Sequence, residues 1–482
     1  MSASAGERLP RLNRLLYASG SISGNAISRS LDLWILFFYA PPDDADIARR
    51  GGTLAIGLTL SAVRLIEALD DPLIGYISDR TRTRLGRRIP YVLVATPLLC
   101  ATFVLLWMPP DAAESTRNVV YLFVALWFFH LFSTLSGGPL ESLLPEIATR
   151  RDDRVDIVTW QVALGVIGAV IGLVGAAVLK DAIGFQGMAA TIAVIALLSR
   201  FVALGGAWRP AMRTVRERSD ETREQIASLI DAVRTCLRND QFLVFLPSFI
   251  LYNLGVLMIT GSLPFLTRAV LEGGADGSAD ITLPFVGVEV DPVISMLAVS
   301  IAVVVILLPL IQLGANRRGK RWVYSRGMVA AVFAFPSLFL IGLIPGVPVM
   351  AQAFLFAALA GLPLAPVQTF PNALIADITD YDHVLTGMRR EATYYATQAS
   401  FEKVAAALAP GLLAILLTFG STPGDTLGVR LVGPVAGVAT LAGYVVFRRY
   451  WLPDEVTVET VRALHPQRLE GVRKSADDEG SA

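Results

Sequence analysis

The sequence predicts an all-α integral membrane fold, with twelve spanning helices arranged as two pseudo-symmetric six-helix halves. Three observations lead there. The 482 residues are 54% hydrophobic and only 17% charged, with a mean hydropathy of +0.57; a soluble chain would carry about 25% charge. Apolar stretches long enough to cross a hydrocarbon core of about 30 Å recur throughout. Two segments also reappear at one common offset: LGRRIP (85–90) with RGKRWV (318–323), and PLESLLPEIATRRDDR (139–154) with PNALIADITDYDHVLTG (371–387).

The spanning segments are read at 13–40, 52–78, 89–109, 118–146, 156–180, 186–207, 241–271, 291–315, 322–345, 348–376, 390–419 and 430–451. Several are rich in Gly, as in LGVIGAVIGLVGAAV at 164–178. In lipid, small residues let helix backbones approach closely. The stretch 208–240 carries both charge signs and an amphipathic portion around Ile226, Leu229, Ile230 and Val233. It is too short for a core of its own and reads as a linker. The expected organisation is therefore 1–207 as the first half, 208–240 as a cytoplasmic linker, 241–451 as the second half and 452–482 as a polar tail. Parallel halves around a central substrate site are the expected architecture.

Charge sets the expected orientation. Arg8, Arg11 and Arg14, Arg80 to Arg88, Arg150, Arg151 and Arg154, Arg317 to Arg321, and Arg448 and Arg449 mark one set of connections. The alternate set is acidic or nearly neutral: PPDDAD at 41–46, Asp111 with Glu114, and the 272–291 loop. The positive-inside rule then puts both termini in the cytoplasm of a multi-pass inner-membrane protein. A net charge of zero argues against a nucleic-acid partner. Cys100 and Cys236 suggest neither a disulfide framework nor a metal site. The polar, basic N-terminus is not expected to be a cleaved signal peptide.

Ionisable groups inside a span cost on the order of 2.5–3.5 kcal/mol each, so each one implies a use. The second span, SAVRLIEALDDPLIGYISD, holds the densest set. Glu67, Asp70 and Asp71 share a helix face, being three and four residues apart. Pro72 removes a backbone donor beside them. Their mutual repulsion needs positive charge, which Arg64 one turn earlier supplies in part and a bound Na⁺ or proton completes; Na⁺ suits an all-oxygen cage. The competing reading is a structural ion-pair knot of Arg64, Glu67 and Asp71. Asp79, Arg80, Arg87 and Arg88, at the end of that span and beyond it, are read as gating residues rather than a substrate site. Lys403, in the eleventh span, needs an anionic partner: the second-span acids, a substrate group, or a packing role. His130 and His383 are read as a packed residue and a loop residue.

DDPLIGYISDRTRTRLGRRIPY (70–91), ESLLPEIATRRDDR (141–154) and ADITDYDHVLTGMRREATYYATQASFEK (376–403) together resemble the glycoside–pentoside–hexuronide:cation symporters, the melibiose permease-like family of the major facilitator superfamily. The resemblance covers nearly the whole chain, and eukaryotic sodium-dependent lysophospholipid symporters are distant relatives within it. It implies a cation site at Glu67, Asp70, Asp71 and Thr134, with Arg64 and Lys403 at positions of the family's helix II arginine and helix XI lysine. The extra acid among these makes proton coupling more plausible than in sodium-selective members. The family's sugar-gripping acids and arginine are not matched: Asn25, Gly137 and Gln161 stand in their places, with Trp160 and the apolar Trp34, Phe37 and Phe38 nearby.

The expected function is sugar transport by symport: a secondary transporter coupling Na⁺ or H⁺ to a small organic solute, a glycoside or sugar acid, by alternating access. No cofactor beyond the coupling ion is expected, no metal beyond Na⁺, and no partner beyond solute, cation and bilayer; the protein is expected to act as a monomer. A lysophospholipid or other amphipathic-solute carrier of the same fold is the alternative. An intramembrane prenyltransferase would also cluster aspartates, as at Asp70, Asp71, Asp79, Asp377, Asp380 and Asp382. Their spacing does not fit a diphosphate motif, and the repeat is foreign to such enzymes.

Overall fold

The computed structural model describes the chain except for 1–8, 44, 46, 81–82, 84, 86–87, 149, 218–233, 235, 273–280, 283–288, 291, 388–389, 455 and 465–482. The side chains of 68–80, 145–146, 151, 155, 213–217, 272, 281–282, 289–290, 392, 458, 462 and 464 also lie outside the description.

Each of the twelve segments read from the sequence falls on helix. In order, the helices are α1 (Arg11–Ala18), α2 (Gly20–Tyr39), α3 (Thr53–Arg80), α4 (Ile89–Leu105), α5 (Thr116–Ser142), α6 (Leu144–Ile147), α7 (Arg151–Val170) and α8 (Ala176–Glu217). After the linker come α9 (Asp240–Leu266), α10 (Pro292–Arg318), α11 (Lys320–Ala334), α12 (Val349–Thr369), α13 (Pro371–Thr386), α14 (Glu391–Leu417), α15 (Leu427–Phe447) and α16 (Val458–Leu464). A π-helical turn joins α7 to α8, and α8 itself is broken at Gly184, whose φ of 73° lies in the left-handed region. Glycine adopts that conformation without a steric penalty, and the break falls between the fifth and sixth predicted spans. One small departure from all-α structure lies in the 272–291 loop, where Ile281 and Thr282 pair antiparallel with Val290 and Glu289.

Among the described residues, eight helical runs are long and apolar enough to cross a membrane. One of them, Asp152–Met212, holds two of the predicted spans, and Ile89–Leu105 is a shorter apolar helix. The α2 and α3 helices are not among the eight. These two carry Arg29, Asp32, Arg64 and Glu67 inside their length. The charges that lower their hydropathy are the ones that build the site below.

The chain divides into two compact units: Met1–Arg223 with Thr260–Ser295 and Pro410–Val429, and Glu224–Ile259 with Met296–Ala409 and Arg430–Ala482. In the first unit, α7 lies against α2 with the backbones in contact. A Cβ placed on Gly168 or Gly172 would come within 2.5 Å of the carbonyl oxygens of Ile22 or Ala26. The Gly-rich stretch of α7 is therefore a packing face, as small residues allow in lipid. At one end of this unit Trp34, Phe38, Trp107 and Phe185 form an aromatic cluster, with the Trp107 and Phe185 rings stacked 5.5 Å apart. At the other end Tyr17, Ile89, Leu140, Leu143, Ile157 and Leu204 form an apolar core. Beside it the buried Arg14 pairs with Asp156 at 2.7 Å and Asp153 at 3.3 Å.

The second unit has its own aromatic core of Phe245, Phe249, Tyr324, Phe447 and Tyr450. Gly319, with a φ of 89°, turns α10 into α11, and Lys320 beside it reaches Asp377 at 2.6 Å. LGRRIP and RGKRWV each lead into a helix, α4 and α11, as their repeated sequence suggests. Gln352 closes the turn between α11 and α12 by donating to the carbonyls of Ile344 and Val347.

Candidate intramembrane charge site

The α3 helix supplies the first half of the site. Arg64 and Glu67, three residues apart, lie on one face. Arg64 reaches to α2 and donates from Nη2 to Oδ1 of Asp32 at 2.5 Å. Arg29, one turn before Asp32, adds a weaker contact at 3.7 Å. Both partners of the Arg64–Asp32 pair are largely shielded, with 17% and 10% of their side chains exposed. A pair so placed keeps two charges inside a span where either alone would be unfavourable.

Glu67 takes a partner from the other side. His130 of α5 lies with Nδ1 2.7 Å from Glu67 Oε2, and these side chains are 11% and 17% exposed. The histidine's other ring nitrogen, Nε2, is buried without a hydrogen-bond partner among the described residues. Thr134 follows His130 by four residues on α5, so its hydroxyl occupies the same helix face one turn on. The His130–Glu67 contact thus places α5 against α3 beside Glu67, and Thr134 lies on α5 one turn beyond it. His130, read as a packed residue, is largely shielded, and its ring nitrogen also meets a carboxylate. His130 could not be found from sequence spacing, because nothing local relates position 130 to position 67.

The remaining expected residues are placed as follows. Asp70, Asp71, Asp79 and Arg80 lie on α3, but their side chains fall outside the described residues, as does Arg87 altogether. Arg88 stands half-buried immediately before α4. Asn25 turns its amide into its own helix, donating to the carbonyl of Ser21 at 3.0 Å, and faces Gly165 of α7. Gln161 is half-buried on α7, whereas Trp160 beside it is 43% exposed. In the second unit Lys403 lies half-buried on α14.

Two charged residues escaped the sequence reading. Asp32, in LDLWILFF, is a single acid in an apolar run. Arg200, in VIALLSRFVAL, is a single base in one. The cost of intramembrane charge would have flagged both. Arg200 is 7% exposed and donates from Nε to Ser23 Oγ and from Nη1 to Ser136 Oγ, each at 2.8 Å. Ser136 in turn shares a 2.8 Å hydrogen bond with Thr96. This network ties α2, α4, α5 and α8 together.

Apolar helices with charges held in pairs inside the spans define a polytopic membrane transporter of the major facilitator fold, not an enzyme. The chain belongs to the family described as MFS/sugar transport protein, which it matches over residues 16–426. The mouse sodium-dependent lysophosphatidylcholine symporter 1 is 23% identical, over 98% of this chain and 92% of its own length. The raffinose carrier protein of Pediococcus pentosaceus is 22% identical, over 86% of this chain and 63% of its own. Among solved structures, the nucleoside transporter NupG superposes with a TM-score of 0.62 at 12% identity, over 92% of this chain and 100% of its own. That likeness shows the fold.

Proposed function

We propose that this protein is a cation-coupled symporter that moves a small organic solute by alternating access between two halves bounded at 1–207 and 241–451. The cation, Na⁺ or H⁺, is taken by Glu67 with Asp70, Asp71 and the Thr134 hydroxyl. The observation that carries this reading is the Glu67–His130 contact inside the spans, 2.7 Å long. A carboxylate so placed, with an imidazole on one side and a hydroxyl-bearing face beside it, can exchange a proton or an all-oxygen-bound cation for its internal partner. Arg64, held by Asp32, supplies a fixed positive charge that limits how much cation the cluster accepts. Binding there would favour the solute-bound state, and rocking of the halves would expose it to the other side. Lys403 and the substrate-site positions Asn25, Gly137, Gln161 and Trp160 would contribute from their own helices, while Asp79, Arg80, Arg87 and Arg88 would control the cytoplasmic end. Both termini are assigned to the cytoplasm of an inner membrane, with the protein working as a monomer.

An amphipathic solute such as a lysophospholipid is the second reading. Asn25 is spent on its own helix and Gly137 has no side chain, so neither position offers the acid expected for a galactoside. A relative aligned over 98% of the chain is named a lysophosphatidylcholine symporter.

The deciding experiment is thermal stability of the detergent-purified protein in Na⁺, Li⁺ and K⁺ at constant ionic strength, and across a pH series, beside Asp71→Asn and Glu67→Gln. A ligand at 100 times its dissociation constant stabilises by about 2.7 kcal/mol. A Na⁺- or Li⁺-specific rise that disappears in the variants supports sodium coupling; a rise that follows pH alone supports proton coupling. Variants that keep the wild-type response to every ion would show the cluster to be structural.

A further inference from the structure

Arg200 has a job that its two serines do not complete. Its guanidinium is a permanent charge, 7% exposed, in the interior of the first unit. Among the described residues no carboxylate lies within salt-bridge distance of it; Glu141 is the acid whose charge reaches it from further off. The two hydrogen bonds it makes, to Ser23 and Ser136, are to neutral hydroxyls. Nη2 makes none among the described residues. Buried arginines are ordinarily matched by an anion, because a lone charge in a span is unfavourable.

The space in front of the guanidinium is open for a specific reason. Gly137 of α5 faces it, and a Cβ added there would lie 3.7 Å from Nη1 and 3.9 Å from Nη2, with nothing else within 4 Å. At neighbouring Gly138 an added Cβ would meet nothing within 4 Å. Ser23 and Ser136 hold Nε and Nη1, and Nη2 lies beside the bare Cα of Gly137. A planar fork of donors presented to an open space matches the geometry of a carboxylate or phosphate.

We propose that Arg200, positioned by Ser23 and Ser136 and uncovered by Gly137, is an oxyanion-binding subsite that takes the carboxylate or phosphate group of the transported solute. This rests on the symporter reading and narrows it: the solute carries an oxyanion group, either the carboxylate of a sugar acid or the phosphate of a lysolipid, and is not a glycoside without one. Gly137 then acts by absence, since an acid at that position would satisfy Arg200 internally.

The test is ligand-induced thermal stabilisation of the purified protein, with glucuronate, lysophosphatidylcholine, inorganic phosphate and neutral methyl galactoside as probes at matched ionic strength. Arg200→Gln, Arg200→Lys and Gly137→Asp are compared with the wild type. The expected result is stabilisation by at least one oxyanion probe and none by methyl galactoside. Apparent affinity should fall at least tenfold in Arg200→Gln and in Gly137→Asp, and less in Arg200→Lys. Glucuronate alone would identify a sugar acid, and lysophosphatidylcholine alone a lysolipid. Should Arg200→Gln fail to fold, Gly137→Asp decides, because its carboxylate enters open space and meets a waiting guanidinium. Unchanged affinity in Gly137→Asp, preference for methyl galactoside, or no protection by any oxyanion probe would overturn the proposal. The cation response in the same samples reports separately on the α3 acids, so loss of one reading is distinguishable from loss of the other.

Discussion

His130 and Glu67, from two different helices, meet inside the spans with Nδ1 and Oε2 2.7 Å apart. Replacing His130 by Ala leaves Glu67 without this partner in a shielded position. Removing one partner of a shielded hydrogen-bonding contact costs about 1–3 kcal/mol. We expect a loss of thermal stability in His130→Ala, recovered in part by adding Glu67→Gln, which removes the carboxylate that has lost this contact. A double-mutant cycle read by thermal unfolding checks this. Strict additivity of the two changes would mean the contact carries no energy.

Asp32 should tune the cation site without touching the cation. In Asp32→Asn the Arg64 guanidinium loses its 2.5 Å carboxylate partner and its positive charge is freed toward the α3 acids. Apparent cation affinity, measured as the concentration giving half of the thermal shift, is expected to weaken by about tenfold, or about 1.4 kcal/mol. An unchanged midpoint would show that Arg64 does not act on the acids.

The glycines of α7 and of the π turn that follows it should differ in their tolerance. Gly168→Ala puts a Cβ 2.5 Å from the Ile22 carbonyl oxygen, whereas at Gly175 the nearest atom, Cγ2 of Ile171, would be 3.8 Å away. Overpacking costs about 1–3 kcal/mol, so Gly168→Ala should unfold at lower temperature than the wild type, and Gly175→Ala should not. Equal melting temperatures in the two variants would show that α7 and α2 separate freely.

Cys236 should resist thiol reagents in the folded protein. It is buried, and burial raises its thiol to about 11. Its reactive thiolate is therefore present only at about one part in a thousand at pH 8, and increases as pH rises toward 11. Maleimide labelling should be slow at neutral pH and become rapid on unfolding; fast labelling of the native protein would place that end of the second unit in water.

The long apolar stretches, the Gly-rich run at 164–178 and the repeated basic motifs all led directly to helices in the structure, because a bilayer demands long, internally hydrogen-bonded apolar segments whatever their partners are. The same rule made Glu67 and Arg64 visible as residues of interest. Asp32 and Arg200 fall under the same rule, each a single charge in an apolar run, but neither belongs to a cluster that would set it apart in the sequence.

Partners were another matter. That Arg64 goes to Asp32, that Glu67 goes to His130, and that Gly137 opens onto Arg200 are relations between residues 32, 63 and 63 positions apart, on different helices. The sequence by itself determined which segments cross the membrane and which charges had to be neutralised there, since transfer into hydrocarbon depends on the residues of one segment. Only the tertiary structure decided which charge neutralises which, because that depends on how helices rotate and pack against one another, and a helix face has no partner until a second helix is placed against it.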